Sequence, residues 1–107
     1  DDRIHKAGGT ATIAPFDLAD SEAIDRLGNA IGARWGRLDA LILNAAQLGT
    51  LAPVPHLDLK EWDKLIALNL TANMRLIRAL DPWLRQSAAG HVVAVTSSVA
   101  GTPRAYL

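Results

Sequence analysis

The sequence contains no cysteine, which excludes a disulfide framework, a cysteine nucleophile and a cysteine-based metal site. Neither sign of charge dominates, because 11 Lys and Arg residues balance 11 Asp and Glu residues, so no basic stripe suits nucleic acid or a lipid surface. No apolar run approaches the roughly 20 residues of a membrane span, and no signal-peptide pattern opens the chain. The three histidines show no metal-ligand spacing. We therefore expect a cytoplasmic globular protein with no metal, nucleic-acid or membrane partner.

The residues that are present indicate a central buried strand. Residues 38–43 are almost continuously apolar, which is typical of a strand covered on both faces in a parallel sheet. Asn44 and two small residues, Ala45 and Ala46, follow directly. Open α/β sheets bind ligands at the carboxyl ends of their strands, and small side chains there let a flat ligand come close. We predict an inner strand with Asn44 at the floor of a cofactor crevice.

Two further stretches have the composition of strands. Residues 10–16 are strand-like, but Pro15 has no N–H to donate to a ladder, so this strand is placed at or near an edge. Residues 91–97 are rich in β-branched side chains and predict another buried strand, with Ser98 at its carboxyl end. Residues 1–6 read as the last turns of a helix that glycines close.

A first full helix is predicted between residues 20 and 36. Asp20 and Ser21 both suit an N-cap, and Gly36 ends the helix. Gly28 and Gly32 lower helix propensity but permit close packing against a neighbouring element. The apolar stripe of this helix consists of Ile24, Leu27, Ile31 and Trp35.

A second, longer helix is predicted over residues 59–84. Asp58 caps it, and Glu61 is spaced to reach back in a capping box. Pro82 is expected to kink or loosen the last turn. The predicted buried face consists of Trp62, Leu65, Ile66, Met74, Ile77 and Leu84.

The elements follow one another as strand, helix, strand, helix, strand. This order implies parallel strands joined by right-handed crossovers. It predicts an α/β fold, a Rossmann-type doubly wound parallel sheet that is present as an incomplete segment with three strands and two full helices. Such folds host many functions, so the fold alone does not identify one.

Polar residues at the strand ends carry more information. Asp17-Leu18 follows the first predicted strand, Asn44-Ala45-Ala46 the second, and Thr96-Ser97-Ser98-Val99-Ala100-Gly101 the third. Asn69 interrupts the apolar run of the long helix and, if buried, needs hydrogen-bond partners. In their order and placement over residues 17–101, these motifs resemble the short-chain dehydrogenase/reductase family, which has Asn-Ala-Gly and Ser-Ser-x-x-Gly at the corresponding places.

The resemblance implies an oxidoreductase that transfers a hydride between NAD or NADP and a small alcohol or carbonyl substrate. Ser98 would bind the substrate oxygen, and Asn69 would hold a water of the proton relay. Ala46 replaces the family's glycine and narrows the approach of the cofactor by one methyl group. The helix over residues 59–84 would pack against a second subunit, which implies a homo-oligomer. The implied cofactor contacts are Asp17, Leu18, Asn44, Ala45, Ala46 and Thr96.

Two parts of the family's site do not occur in this sequence. There is no Gly-x-x-x-Gly-x-Gly, and no Tyr-x-x-x-Lys, since no lysine follows Tyr106 and that tyrosine comes too soon after Ser98. We expect residues 1–107 to be the central part of a single dinucleotide-binding domain, with the glycine-rich loop before residue 1 and the Tyr-x-x-x-Lys region after residue 107. Alone, this segment would expose an unpaired inner strand edge and is expected to be unstable, unable to bind cofactor and inactive.

Other interpretations of the same residues stay open. Ser98 fits turn chemistry, Asn69 fits an amide that ties a helix to nearby backbone, and Asp17 fits a strand-end cap. A non-catalytic dinucleotide sensor or structural relative with the same fold is the main alternative to the enzyme, and a sugar-nucleotide epimerase is a third. A tyrosine with a lysine four residues later, beyond residue 107, would favour the enzyme.

Overall fold

The computed structural model describes residues 2–106, and a pair of parallel strands lies at its centre. Strand β1 is Ala40–Leu43 and strand β2 is His91–Ala94, and the two pair in parallel along their whole length. The predicted parallel pair is therefore confirmed, with shorter strands than the 38–43 and 91–97 expected. Asp1, which belongs to the predicted N-terminal helical turns, lies outside the described residues.

The helices carry most of the remaining structure. Helix α1 is Asp2–Lys6, α2 is Ser21–Arg34, α3 is Leu59–Ile66 and α4 is Ala72–Arg85. A π-helical segment, Ala67–Thr71, joins α3 to α4, so the predicted helix over 59–84 is one continuous helical run with an irregular middle. Short 3₁₀ turns lie at Val54–His56 and Ser98–Ala100. No helix among residues 2–106 combines the length and the apolarity needed to cross a bilayer.

The strand predicted over residues 10–16 is absent. These residues are exposed and form no strand, and β1 pairs only with β2 in the part of the chain that the structure describes. A strand needs a hydrogen-bonded neighbour, and Pro15 removes one of the donors that such a ladder would use. The composition of residues 10–16 predicted a strand, but composition does not show whether another strand is there to pair with it.

The core covers one face of β1 only. Ile24 of α2, Leu43 of β1 and Leu80 of α4 form the buried cluster together with Ala72 and Leu76. Leu43 is 7% exposed, whereas Ile42, which points to the opposite face, is 56% exposed. All of β2 is exposed as well. The expectations of a strand covered on both faces at residues 38–43 and of a buried strand at residues 91–97 are therefore wrong. Helices α2 and α4 pack together on one side of β1, and nothing in residues 2–106 covers its other side or buries β2.

The long helical run has two apolar stripes, and the predicted buried face is for the most part the exposed one. The residues that are buried are Ala72, Leu76, Leu80 and Leu84. Of the predicted face, Leu84 is buried and Leu65 half-buried, but Trp62, Ile66, Met74 and Ile77 are exposed. Helical spacing identifies apolar stripes but not the element that each stripe meets. The irregular hydrogen bonding lies at Ala67–Thr71, and Pro82 remains inside α4.

Helix α2 follows its prediction more closely. Asp20 is the N-cap, and its side chain accepts hydrogen bonds from the backbone of Glu22 and Ala23. Ile24 is fully buried and Leu27 and Ile31 pack against the core, whereas Trp35 is exposed with the Arg34 guanidinium 4.5 Å from its ring centroid. Gly36 follows the helix with φ +69°, as expected of a terminating glycine.

The glycines of α2 bring it into direct contact with α4. A Cβ atom at Gly28 would lie 2.9 Å from the carbonyl oxygen of Ala79, and one at Gly32 would overlap the ring of Trp83. The predicted close packing is therefore confirmed. Because the obstacle at Gly28 is backbone, it cannot move aside as a flexible side chain could.

The capping box predicted at the start of α3 does not form. The Asp58 carboxylate accepts from the backbone N–H of Lys60 at 3.0 Å, as an N-cap should. Glu61, however, accepts a hydrogen bond from the backbone N–H of Thr50 in the preceding loop. The Glu61 carboxylate therefore binds the loop and does not cap the N-terminus of α3.

We predict that Gly28→Val lowers the free energy of unfolding of the full-length protein that carries these residues by about 1–3 kcal/mol, the usual cost of overpacking. The matched control is Asn29→Val, which introduces the same side chain at the next, exposed position of α2 and should cost less than about 0.5 kcal/mol. Urea unfolding measures both. Equal losses of unfolding free energy in the two variants would contradict the claim that the contact between α2 and α4 leaves no room for a side chain at residue 28.

Candidate functional site

The carboxyl ends of β1 and β2 form one edge. The backbone N–H of Val95 donates to the carbonyl of Leu43 at 2.9 Å, so the two chains leave the sheet side by side. Asn44, Ala45, Ala46 and Thr96 follow directly and are all exposed. The structure therefore places these four predicted cofactor contacts at the same edge of the sheet, open to an approaching ligand.

Asn69 joins this edge to the long helical run. Its side-chain Oδ1 accepts from the Gln47 N–H at 2.9 Å, and its Nδ2 donates to the Gln47 carbonyl at 2.8 Å. Gln47 lies three residues after Asn44, so this double hydrogen bond fixes the path of the chain as it leaves β1. Asn69 is exposed, not buried, and its side chain does what the tie-to-backbone interpretation requires.

The position of Asn69 depends on the π-helical segment that contains it. The N–H of Ala72 donates to the carbonyl of Ala67, one residue farther back than in an α-helix. Such one-turn π segments inside α-helices are rare and occur frequently at functional sites. A second asparagine follows: the Asn73 Nδ2 donates to the main-chain carbonyl of Asn69 at 2.9 Å.

The loop after Gln47 packs on α3 and borders an apolar cavity that is open to solvent. Gly49 has φ +76°, and a Cβ atom there would lie 2.6 Å from Leu65 Cδ1, so only glycine fits without rearrangement. Glu61 binds the backbone of Thr50 on the same side. The cavity measures about 500 Å³ and is lined mainly by apolar side chains, among them Leu48, Leu51, Val54, Trp62 and Tyr106.

Ser98 lies just beyond the β2 end of this edge. Ser97, not Ser98, caps the short 3₁₀ turn, because the Ser97 hydroxyl accepts from the Val99 N–H at 3.4 Å. The Ser98 carbonyl accepts from the N–H groups of Gly101 and Thr102. The Ser98 hydroxyl is not part of these contacts and lies on an exposed residue. The backbone of Ser98 is thus fixed while its side chain stays accessible.

Asp17 and Leu18 form a turn beside the core. The Asp17 Oδ1 accepts from the Ala19 N–H at 2.9 Å, which is a local turn contact of the kind aspartate often makes. Leu18 is half-buried and packs against the core cluster. One carboxylate oxygen of Asp17 is therefore engaged in the turn, and Asp17 is exposed.

The chemistry of the edge is that of neutral hydrogen bonding. Residues 44–47 and 96–98 offer amide and hydroxyl groups with small neighbours, and they contain no lysine or arginine. This set suits the ribose and base of a nucleotide better than a pyrophosphate. Among the residues that the structure describes, no three His, Cys, Asp or Glu side chains are grouped so as to hold a metal ion.

Comparison with known proteins decides the family. The sequence profile of the short chain dehydrogenases matches residues 2–107, which is nearly the whole chain.

The chain belongs to the short-chain dehydrogenase family.

Similar proteins include enzymes and cofactor complexes. This short-chain dehydrogenase chain is 38% identical to a fatty acyl-CoA reductase of Mycobacterium tuberculosis, over 90% of the chain and 33% of the relative. It is 31% identical to a D-threitol dehydrogenase of Mycolicibacterium smegmatis, over 78% of the chain and 32% of the relative. The solved structure of a metagenomic short-chain oxidoreductase in complex with NADP superimposes with a TM-score of 0.88 and 35% identity, over 98% of this chain and 48% of that one. The chain thus spans about a third of the length of both curated relatives.

Sequence reasoning identified the residues at the edge of this short-chain dehydrogenase but missed those that hold them. It did not single out Gln47, whose backbone receives the Asn69 amide, because a backbone partner leaves no trace in residue type. It also missed Asn73, although a second amide four residues after Asn69 on a helix was a readable signal. Glu61 was noticed for its spacing, but its partner is Thr50 in the loop.

We predict that Asn69→Leu, which removes donor and acceptor at similar size, increases the exchange rate of the Gln47 backbone amide about three- to ten-fold, as loss of a hydrogen bond implies. Hydrogen exchange followed by NMR on the full-length protein measures this. Asn29→Leu on the exposed surface of α2 is the matched control and should leave Gln47 unchanged. An unaltered Gln47 rate in Asn69→Leu would show that the amide does not hold the loop.

Proposed function

We propose that the protein is an NAD(P)-dependent oxidoreductase that transfers a hydride between the nicotinamide and a small alcohol or carbonyl substrate. The observation that carries the proposal is the Asn69–Gln47 double hydrogen bond, which holds an open polar edge at the carboxyl ends of two parallel strands. Ligands of open α/β sheets bind in this place. The names of the relatives, a reductase and a dehydrogenase, and an NADP complex among the structural neighbours support the same reaction class.

The described residues fit the adenosine side of NAD or NADP. Asn44 and Ala45 would contact the ribose, and Asp17 with the Leu18 backbone would contact adenine. Ala46 and Thr96 are small exposed residues at the same edge and would line the cofactor. When bound, the nicotinamide supplies or accepts the hydride.

Ser98 and Asn69 would serve the substrate side. The accessible Ser98 hydroxyl would donate a hydrogen bond to the substrate oxygen and stabilise the charge that develops there. Asn69 uses one acceptor site and one donor site of its amide on Gln47, and the second lone pair and second N–H of that amide would hold a water of the proton relay.

We also propose that the 107 residues alone are the inactive central part of one dinucleotide-binding domain. The Cα radius of gyration is 16.6 Å, whereas a compact domain of this length has about 13 Å. One face of the sheet is open, with Ile42 exposed upon it. The isolated 107-residue chain should give no NAD(P)H-linked turnover. Turnover by this chain alone would contradict this part of the proposal.

We predict that Ser98→Ala in the full-length protein lowers kcat for NAD(P)H-linked turnover by about 100-fold or more, the usual cost of removing one donor to a developing charge. The dissociation constant for the cofactor should stay within about two-fold, because Ser98 would touch substrate and not cofactor. Ser97→Ala is the matched control: it loses a turn contact and should keep activity within a few-fold.

Two outcomes of this comparison would redirect the assignment. Full activity in Ser98→Ala would remove Ser98 from the catalytic set. Tight nicotinamide binding without turnover of any alcohol or carbonyl compound, in the unaltered protein, would favour the non-catalytic sensor.

We propose further that the protein is a homo-oligomer through the long helical run. The stripe left exposed on that run is apolar from end to end and consists of Leu59, Trp62, Ile66, Leu70, Met74 and Ile77. Spacings of three and four residues put these side chains on one face. Contiguous exposed apolar surface of this kind marks association sites, and a second copy of the same stripe would cover it symmetrically.

We predict that Leu70→Glu shifts the full-length protein from oligomer to monomer, because burying an unpaired carboxylate opposes the contact. Lys64→Glu introduces the same side chain at an exposed position outside the stripe and should leave the mass unchanged. Light scattering coupled to size-exclusion chromatography measures both. An oligomer that survives Leu70→Glu would rule out this helix face as the interface.

A further inference from the structure

Asn73 is hydrogen-bonded to Asn69 and so belongs to the hydrogen-bond network of the site. It lies in the first turn of α4, and its Nδ2 donates to the Asn69 main-chain carbonyl at 2.9 Å. Asn69 in turn uses both ends of its own amide on Gln47, at 2.9 and 2.8 Å. One connected path of amide groups therefore runs from the helix to the loop that follows β1.

We propose that Asn73 is a positioning residue. It fixes the π-helical segment Ala67–Thr71 and thereby the orientation of the Asn69 side-chain amide toward the Gln47 backbone. The expected effect on cofactor binding rests on the proposed function, because it assumes that the cofactor binds at the edge that contains Asn44. The hydrogen-bond geometry does not depend on that function.

The physical need for Asn73 comes from the π segment. A π turn places one more residue in a turn than the α-helix does, and the α-helical pattern competes with it at every residue. Relaxation of the segment to α-helical bonding would rotate the residues on its two sides relative to each other by about 100°. Asn69 lies inside the segment, so such a rotation would turn its amide away from Gln47. The Asn73 side chain donates to the Asn69 carbonyl, which is the acceptor that the Asn73 backbone N–H takes in α-helical bonding, so this hydrogen bond would oppose the change.

A purely local role is the competing explanation. Polar side chains in helices often bond to the carbonyl four residues back with no effect beyond that turn. The two explanations differ in whether changes at Asn73 and Asn69 are coupled. If Asn73 acts through Asn69, removing Asn73 matters only while Asn69 is present, whereas a local role gives independent effects.

The experiment is a double-mutant cycle in the full-length protein with Asn73→Leu, Asn69→Leu and the double variant. The readouts are the exchange rate of the Gln47 backbone amide by NMR and the dissociation constant for NADPH by fluorescence. We expect Asn73→Leu to raise both by about three- to ten-fold, the range for one lost hydrogen bond. The double variant should be no worse than Asn69→Leu alone.

Matched variants separate positioning from general helix damage. Asn73→Ser keeps a donor that can reach the carbonyl four residues back and should restore Gln47 exchange to within about two-fold of the unaltered protein. Asn73→Asp keeps size and polarity, but its carboxylate cannot donate a hydrogen bond to the Asn69 carbonyl. It should therefore behave like Asn73→Leu, and it takes the place of Asn73→Leu if that variant does not fold. Asn29→Leu on α2 should change neither readout.

Additive losses in the cycle, or Gln47 exchange that Asn73→Leu and Asn73→Asp leave unchanged, would overturn the proposal. Failure of both NADH and NADPH to bind the unaltered protein would contradict the proposed function alone. The exchange rates would still decide the role of Asn73 in that case.

Discussion

The paired hydrogen bonds between the Asn69 side chain and the Gln47 backbone are the constraint on which the candidate site depends. They join residues 22 positions apart in sequence and connect the helical run over Leu59–Arg85 to the chain leaving β1. An amide is suited to this contact because its NH2 and its carbonyl oxygen place a donor beside an acceptor at fixed geometry, matching the N–H and C=O of a backbone residue. The π-helical segment is the structural means by which the helix presents that amide to the loop.

The helix can hold the loop because it is itself packed closely against α2. Contact at Gly28 and Gly32 brings α2 against Ala79 and Trp83, and Leu80 lies fully buried between the helices and the sheet. All of this packing is on one face of the strands. The other face carries exposed apolar side chains, Ile42, Val93 and Val95, in a chain that spans about a third of the length of its curated relatives.

The sequence was most informative where local chemistry decides the structure. Asp20, Asp58 and Gly36 cap or terminate helices as predicted, and the order of elements gave the parallel pair of strands. It was less informative wherever a partner decides. Residues 10–16 have strand composition without a paired neighbour, and the two apolar stripes of the long helix could not be ranked by period. Asn44, Thr96 and Asn69 could be proposed as candidate site residues from the motifs that contain them, whereas Gln47 could not, because it contributes backbone.

The most direct test is a crystal structure of the full-length protein with NADP⁺ bound. We expect the adenosine ribose within hydrogen-bond distance of Asn44, at the carboxyl edge of β1 and β2, with the Asn69 amide still paired to the Gln47 backbone. Cofactor bound away from this edge, or an Asn69 amide turned away from Gln47, would contradict the central claim.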